Sequence, residues 1–313
     1  MTVFLEIAEM VLPVLVMIGL GFVCRKRQLF DEKGLAGLKT LISDITLPVV
    51  LFNAFLSAQY NLRLVVVFAV LYVVSGAALA AGFALRPLAK PYGRLMPFLM
   101  ACFEAGMLGY ALYTLLVGPQ GLSTFAMVDI GQTMFAYTIY LAALGAAGGQ
   151  QMTPKTILRN MLTKKPFLGM LLGILFGVTG LGSLVIASPV GGVFTSLISF
   201  ITAPTAGVIL IIVGYELSFK KSLLRPVATT IVLRLAVMAV LLVVASFAIF
   251  SLTPFDKDLQ LALMLIFALP APFVIPLFAD VRKDGEYLST TLSMDTLLAI
   301  VLFVAIAAYS RVA

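Results

Sequence analysis

The octapeptide LISDITLP (Leu41 to Pro48) returns as LISFITAP (Leu197 to Pro204), six of eight residues kept at a spacing of 156 in a chain of 313. Leucine and isoleucine recur by chance in so apolar a chain, but the matched Ser43/Ser199, Thr46/Thr202 and Pro48/Pro204 at one register mark a duplication. Each copy lies in a long apolar segment, where a proline removes a backbone donor and frees carbonyls that the fold must satisfy by other means. A duplicated chain with interrupted helices in a membrane points first to secondary transport.

Hydrophobic residues make up 62% of the chain and charged residues 11%, with a mean hydropathy of +1.12, which places it among all-α, multi-pass membrane proteins. The net charge of +7 does not indicate nucleic acid, because the basic residues fall in short clusters between apolar segments, as membrane topology requires. Histidine is absent and the two cysteines, Cys24 and Cys102, are far apart, so zinc spacing, a CxxC pair and a His-based triad are excluded. No nucleophile–base pair or phosphate loop suggests an enzyme, and no cofactor or metal is expected. The first apolar segment is followed by Arg25-Lys26-Arg27 and reads as a retained helix rather than a cleaved signal.

At about 20 residues per crossing, ten spans are expected: Val3 to Val23, Leu35 to Ser57, Leu62 to Leu85, Met96 to Gly118, Leu122 to Gly145, Pro166 to Gly182, Val190 to Leu217, Ala228 to Ser251, Leu259 to Ala279 and Tyr287 to Tyr309. They divide into a first repeat (1–147), a cytoplasmic linker (148–165) and a second repeat (166–313). With the N-terminus outside, 17 Lys and Arg fall on cytoplasmic ends and loops, against Arg63, Lys257 and Arg311 outside; Arg234 lies within the eighth span. This bias orients both termini outward. Five helices per half make the repeat inverted, as in many alternating-access carriers.

Two spans carry matched interruptions, Glu104-Ala105-Gly106-Met107-Leu108-Gly109 in the fourth and Leu269-Pro270-Ala271-Pro272, followed by Pro276, in the ninth. Unwound backbone at membrane depth belongs next to protein or a water-filled cavity, so the breaks in these helices 4 and 9, crossed at mid-membrane, should face a site. Half-helix N-termini meeting there favour anions. Glu104, Ala105, Gly106, Met107, Pro270, Ala271, Pro272, Pro48 and Pro204 are the candidate substrate-binding residues.

Ionisable groups in the membrane are costly and usually functional. A carboxyl held away from water favours its neutral form, so Glu104 is the leading proton carrier, the alternative being a permanently protonated side chain that only hydrogen-bonds in helix packing. Asp129, Gln132 and Thr133 on the fifth span, and Ser293, Asp295 and Thr296 on the tenth, offer oxygens for Na⁺ or a proton relay. Asp129 alternatively sits at a solvated helix end. Asp44 stands where the other repeat has Phe200, so symmetry gives it no partner, and it either contacts the transport domain or faces a scaffold groove. Arg234 needs an acid or a substrate carboxylate. Glu216, near Lys220 and Lys221, reads as a cytoplasmic-end ion pair, and Gly169, Gly173 and Gly177 as a face for close helix packing.

Thr46-Leu47-Pro48 with Leu51-Phe52, the Gly106/Gly109 pair leading to Gly118-Pro-Gln-Gly-Leu122, Asp129-Ile-Gly-Gln132, the run from Pro204 to Gly214 and Pro270-Ala-Pro272 stand in an order that resembles the auxin efflux carrier (PIN-like) family over essentially the whole length. The resemblance implies a fold related to sodium/proton antiporters and bile acid symporters, with helices 1, 2, 6 and 7 as scaffold and helices 3–5 and 8–10 as a transport domain that moves in an elevator-like or rocking manner. It implies organic anion substrates such as malonate, malate or auxin-like acids, and a homodimer through the scaffold. The sequence departs from the family in Glu104, where asparagine is common, and Ala111, where a proline often follows. The resulting expectation is a proton-coupled carrier of small organic anions in a bacterial inner membrane. The alternatives are a sodium-coupled symporter of the bile acid type and a non-transporting sensor on the same fold.

Overall fold

The computed structural model describes residues 2–58, 60–149, 153–277 and 281–312, and every regular element among them is helical. In chain order these are α1 (Thr2–Lys26), α2 (Glu32–Leu41), α3 (Leu47–Leu56), α4 (Leu62–Leu85), α5 (Met96–Met100), α6 (Tyr110–Val117), α7 (Leu122–Phe135), α8 (Leu141–Ala147), α9 (Pro154–Thr163), α10 (Lys165–Val178), α11 (Leu181–Ala187), α12 (Gly191–Thr202), α13 (Thr205–Glu216), α14 (Leu224–Leu252), α15 (Lys257–Ala268) and α16 (Val281–Val312). Away from water the backbone of such apolar runs can be satisfied within the segment only as a helix. Local starts are set by side chains: Asp31 accepts the Gly34 N–H at 2.9 Å ahead of α2, and Asp256 accepts the Leu259 N–H at 3.0 Å ahead of α15.

Among the described residues seven helices are long and apolar enough to cross a membrane, and two bent pairs bring the number to nine. The expected ninth span is different. Its helix ends at Ala268, the chain continues without helix, and a short 3-10 turn follows at Ile275–Leu277. Phe278 and Ala279, at the expected end of that span, lie outside the described residues, as do residues 150–152 of the linker. The sixth span is not simply short: α10 and α11 meet at 79°, and Gly180 turns the corner with φ +74°, a conformation that glycine adopts without steric cost.

Both copies of the repeated octapeptide interrupt a helix just before their proline. In the first, a π-helical turn at Ile42–Thr46 precedes α3, and in the second, α12 ends at Thr202 and α13 resumes at Thr205. The proline ring clashes with the carbonyl four residues earlier, and a wider turn or a stop relieves the clash.

The chain divides into two compact units, one of Met1–Leu64, Gly106–Met127 and Leu158–Glu216, the other of Val65–Ala105, Val128–Ile157 and Leu217–Ala313. In the first unit α1 packs on α13 and α10 on α3. Glycines bring these backbones together: Gly169 and Gly173 of α10 lie against Pro48 and Phe52, while Gly21 of α1 lies against Ile211 and Gly214 of α13 against Ile18. In the second unit α14, α15 and α16 pack together, and the Tyr140 hydroxyl donates to the Phe98 carbonyl at 2.9 Å across an edge-to-face ring contact.

Candidate transport site

Helix α5 is only five residues long and ends at Met100, four residues before the expected break at Glu104. Ala101 is extended (ψ 148°), and Cys102 takes φ +62°, a left-handed conformation unusual for a residue with a side chain. The Gly106/Gly109 pair falls in a second π-helical turn, Ala105–Gly109, through which the chain re-enters helix at α6. The other break follows α15, where Leu269 is extended (ψ 151°) and Pro270 to Pro272 continue without helix, as the prolines require.

Both breaks lie in the second unit up to Ala105, and they are hydrogen-bonded to each other. The Glu104 N–H donates to the Pro270 carbonyl at 2.9 Å, and a Glu104 carboxylate oxygen accepts the Phe273 N–H at 2.7 Å. The break after α5 is therefore tied to the break after α15 by the backbone and the side chain of one residue. Neighbouring helices supply the rest. Gln132 of α7 accepts the Phe103 N–H at 3.2 Å, and Asp295 of α16 accepts the Ala271 N–H at 2.9 Å.

Arg234 of α14 is 4% exposed and reaches both breaks. It donates to the carbonyls of Leu99, of Cys102 at 3.3 Å and of Leu269 at 3.1 Å; its Nε lies 3.2 Å from the Asp295 carboxylate. The guanidinium also stands over the Phe103 ring, 5.7 Å from its centre. Of the two partners considered from sequence, an acid or a substrate carboxylate, the structure supplies the acid. The three carbonyl contacts were not legible, because backbone acceptors carry no residue signature.

Asp129 and Gln132 are each 4% exposed, so the solvated-end reading of Asp129 fails. One Asp129 oxygen accepts from Gln132 Nε2 at 2.5 Å and from the Thr133 hydroxyl at 3.0 Å. Gln132 thereby links the Asp129 carboxylate to the first break. Thr296 donates to Leu292 in its own helix, and Ser293 accepts the Ser218 N–H at 2.8 Å. Among the described residues no three Cys, Asp or Glu side chains gather as a metal site. Asp129, Gln132 and Thr133 are thus joined by side-chain hydrogen bonds.

Other expected residues lie elsewhere. Asp44 pairs with Lys165 at 2.7 Å and accepts from Ser43, both partners partly exposed, and so has an asymmetric partner that the repeat register could not show. Glu216 pairs with Lys39 instead of Lys220 or Lys221, and Lys220 pairs with Glu286.

The first unit contains a cavity of about 270 Å³ whose walls include Leu47, Gly106, Tyr110, Thr114, Ser199, Thr202, Ala203 and Thr205. Gly106 is the second residue of the segment that resumes after the first break, and a Cβ there would meet Leu47 at 3.5 Å. Thr205 is 6% exposed, and its hydroxyl has no hydrogen-bond partner among the described residues. Its sequence signal was present, since Thr205 directly follows the second copy of the octapeptide, but nothing marked it as facing a cavity. Pro48 directly follows the lining residue Leu47 and Pro204 stands between the lining residues Ala203 and Thr205, while Met107 follows Gly106 in the π-helical turn.

The chain matches the family described as Membrane transport protein over residues 6–306. An uncharacterized transporter of Methanothermobacter thermautotrophicus is 23% identical over 225 residues, covering 70% of each chain. Two mutually bonded helix breaks in an apolar, multi-pass chain accord with that match, and the protein belongs to the auxin efflux carrier (PIN-like) family of membrane transport proteins.

Proposed function

We propose that this transporter is a proton-coupled secondary carrier of small organic anions, mono- or dicarboxylates such as malonate, malate or auxin-like acids, working by alternating access. The observation that carries the substrate class is the cavity bounded by Gly106 and Thr205. Its size falls near the lower end of small-molecule sites, about 300 Å³. A ligand oxygen there would satisfy the buried Thr205 hydroxyl, which otherwise forgoes a hydrogen bond. The N–H groups at the start of the resumed helix carry roughly half a positive charge and favour a carboxylate. Among the described residues no lysine or arginine lines the cavity, so a single carboxylate, or a dicarboxylate carrying one proton, fits its electrostatics better than a dianion.

Proton coupling is assigned to Glu104, two residues before Gly106. The Phe273 N–H can donate to this carboxyl in either protonation state, so a proton can come and go without losing that tie. The wider reading is the one expected from sequence: ten spans in a 5+5 inverted repeat with both ends outside, a scaffold of helices 1, 2, 6 and 7 that also forms a homodimer, a moving domain from helices 3–5 and 8–10, and a bacterial inner membrane location. The oxygens of Asp129, Gln132 and Thr133 favour a second reading, sodium-coupled symport of the bile acid type.

The test is thermal unfolding of the purified protein with C2 to C6 carboxylates and indole-3-acetate at pH 5.5 and 7.5, with and without Na⁺. A ligand that binds only the folded state raises the melting temperature. Stabilisation favoured at the lower pH supports the proposal, stabilisation that requires Na⁺ puts the symporter first, and silence across the panel removes the anion assignment.

A further inference from the structure

The oxygens that surround Arg234 form an unusual set for an arginine. Three are backbone carbonyls, Leu99 in the last turn of α5, Cys102 in the first break and Leu269 in the second, and the fourth oxygen belongs to the Asp295 carboxylate. Unwound-helix carbonyls completed by one carboxylate are the ligands with which broken-helix carriers hold a hard alkali cation. Here the positive charge arrives on the side chain of α14, a helix without a break through 29 residues.

We propose that the Arg234 guanidinium is a tethered cation that holds the crossing of the two helix breaks in place of a diffusible sodium ion. Burial of an arginine at 4% exposure needs its charge compensated, and this set supplies one formal negative charge and three carbonyl dipoles for one positive charge. A sodium ion entering the same set would find its carboxylate already neutralised and would have to displace the fork of the guanidinium from both breaks at once. The left-handed Cys102 fits this role, because its carbonyl is one of those held by Arg234. Arg234 is thus a positioning residue, and the Asp295 carboxylate is committed to it. The consequence for ion coupling rests on the carrier reading above, in which proton transfer falls to Glu104 and sodium has no place at Asp295.

Thermal unfolding tests the cation assignment without any transport, so its failure and that of the carrier reading are distinguishable. Wild type, Arg234→Ala and the double variant Arg234→Ala/Asp295→Asn are melted in NaCl, KCl, guanidinium chloride at low millimolar concentration, and choline chloride as the ionic-strength control. Wild type is expected to show the same melting temperature in Na⁺ as in choline. Arg234→Ala, with its oxygens vacated, is expected to melt lower and to recover by about 5 °C in saturating Na⁺ or guanidinium, and the double variant is expected to lose that recovery. A merely structural arginine would give a destabilised variant that no small cation rescues. The proposal is overturned if Arg234→Ala folds and responds to no cation. It is equally overturned if Na⁺ stabilises wild type through an effect that Asp295→Asn abolishes, a comparison that stands even if Arg234→Ala does not fold.

Discussion

Replacing Glu104 separates its structural tie from its protonation. In Glu104→Gln the amide oxygen can still accept the Phe273 N–H, now at 2.7 Å from a carboxylate oxygen, and the Glu104 N–H to Pro270 is a backbone bond that the substitution leaves alone. A hydrogen bond to a charged acceptor contributes about 1.5–3 kcal/mol and a neutral one about 1, so the cost is about 1 kcal/mol. Glu104→Ala instead leaves the half-buried Phe273 N–H without its acceptor, at about 1–3 kcal/mol for the orphaned donor. The glutamine variant should therefore melt close to wild type and the alanine variant measurably below it. Function should divide differently. In proteoliposomes loaded at one pH and diluted into another, wild-type uptake of a stabilising carboxylate should follow the proton gradient, whereas both variants should lose that dependence while still binding the ligand in the melting assay. An unchanged pH profile for Glu104→Gln would remove Glu104 from coupling. A glutamine variant as unstable as the alanine variant would refute the hydrogen-bond argument itself.

Thr205→Val keeps the shape of the side chain and removes a hydroxyl that makes no bond among the described residues. The ligand-free protein should be as stable as wild type or more so, by up to about 1 kcal/mol, and the carboxylate-induced rise in melting temperature should shrink; an undiminished rise would place the ligand elsewhere. For Gly173→Ala, an added Cβ would stand 2.5 Å from the Phe52 carbonyl oxygen, and the overpacking cost of about 1–3 kcal/mol should outweigh a gain in helix propensity of about 1. Gly19→Ala meets nothing within 4 Å and should stabilise α1, so equal behaviour of the two alanine variants in thermal unfolding would contradict the close packing of α10 on α3.

Long features were legible in the sequence, and short-range geometry was not. Hydropathy located the helices because an apolar run of some twenty residues has few alternatives in a membrane, and Pro270 and Pro272 located the second break because proline cannot continue the hydrogen-bond ladder. The first break begins three residues earlier than expected, at Ala101 rather than Glu104. Glycine only permits a departure from helix, whereas the departure at Ala101 to Glu104 is held by partners distant in sequence: Gln132, Arg234 and Pro270. The partner of Glu216 was missed for a related reason. Sequence proximity favoured Lys220 and Lys221, but the packing of α2 with α13 presents Lys39, 177 residues away.

The repeated octapeptide leads to a test of where the ligand sits. Position seven of the octapeptide differs between the copies, Leu47 in the first and Ala203 in the second, and both residues line the same cavity, together with Ser199 and Thr202 of the second copy. The matched residues preserve the helix interruption in each copy, while this unmatched position sets how much room remains between them. At position four the copies have also diverged, toward an ion pair for Asp44 and toward an exposed surface for Phe200, 84% exposed, where an apolar side chain suits lipid. Ala203→Leu adds three carbons to one wall of a cavity of about 270 Å³. The loss should fall on the larger acid, with indole-3-acetate ceasing to stabilise the protein while a C2 or C3 acid still does, and Leu47→Ala should shift preference toward bulkier acids. Hydrophobic enlargement of a pocket changes affinity by about 1–3 kcal/mol, a difference of tenfold or more that thermal shifts over a ligand titration resolve. If both substitutions change small and large acids alike, the cavity between the two copies is not where the carboxylate binds.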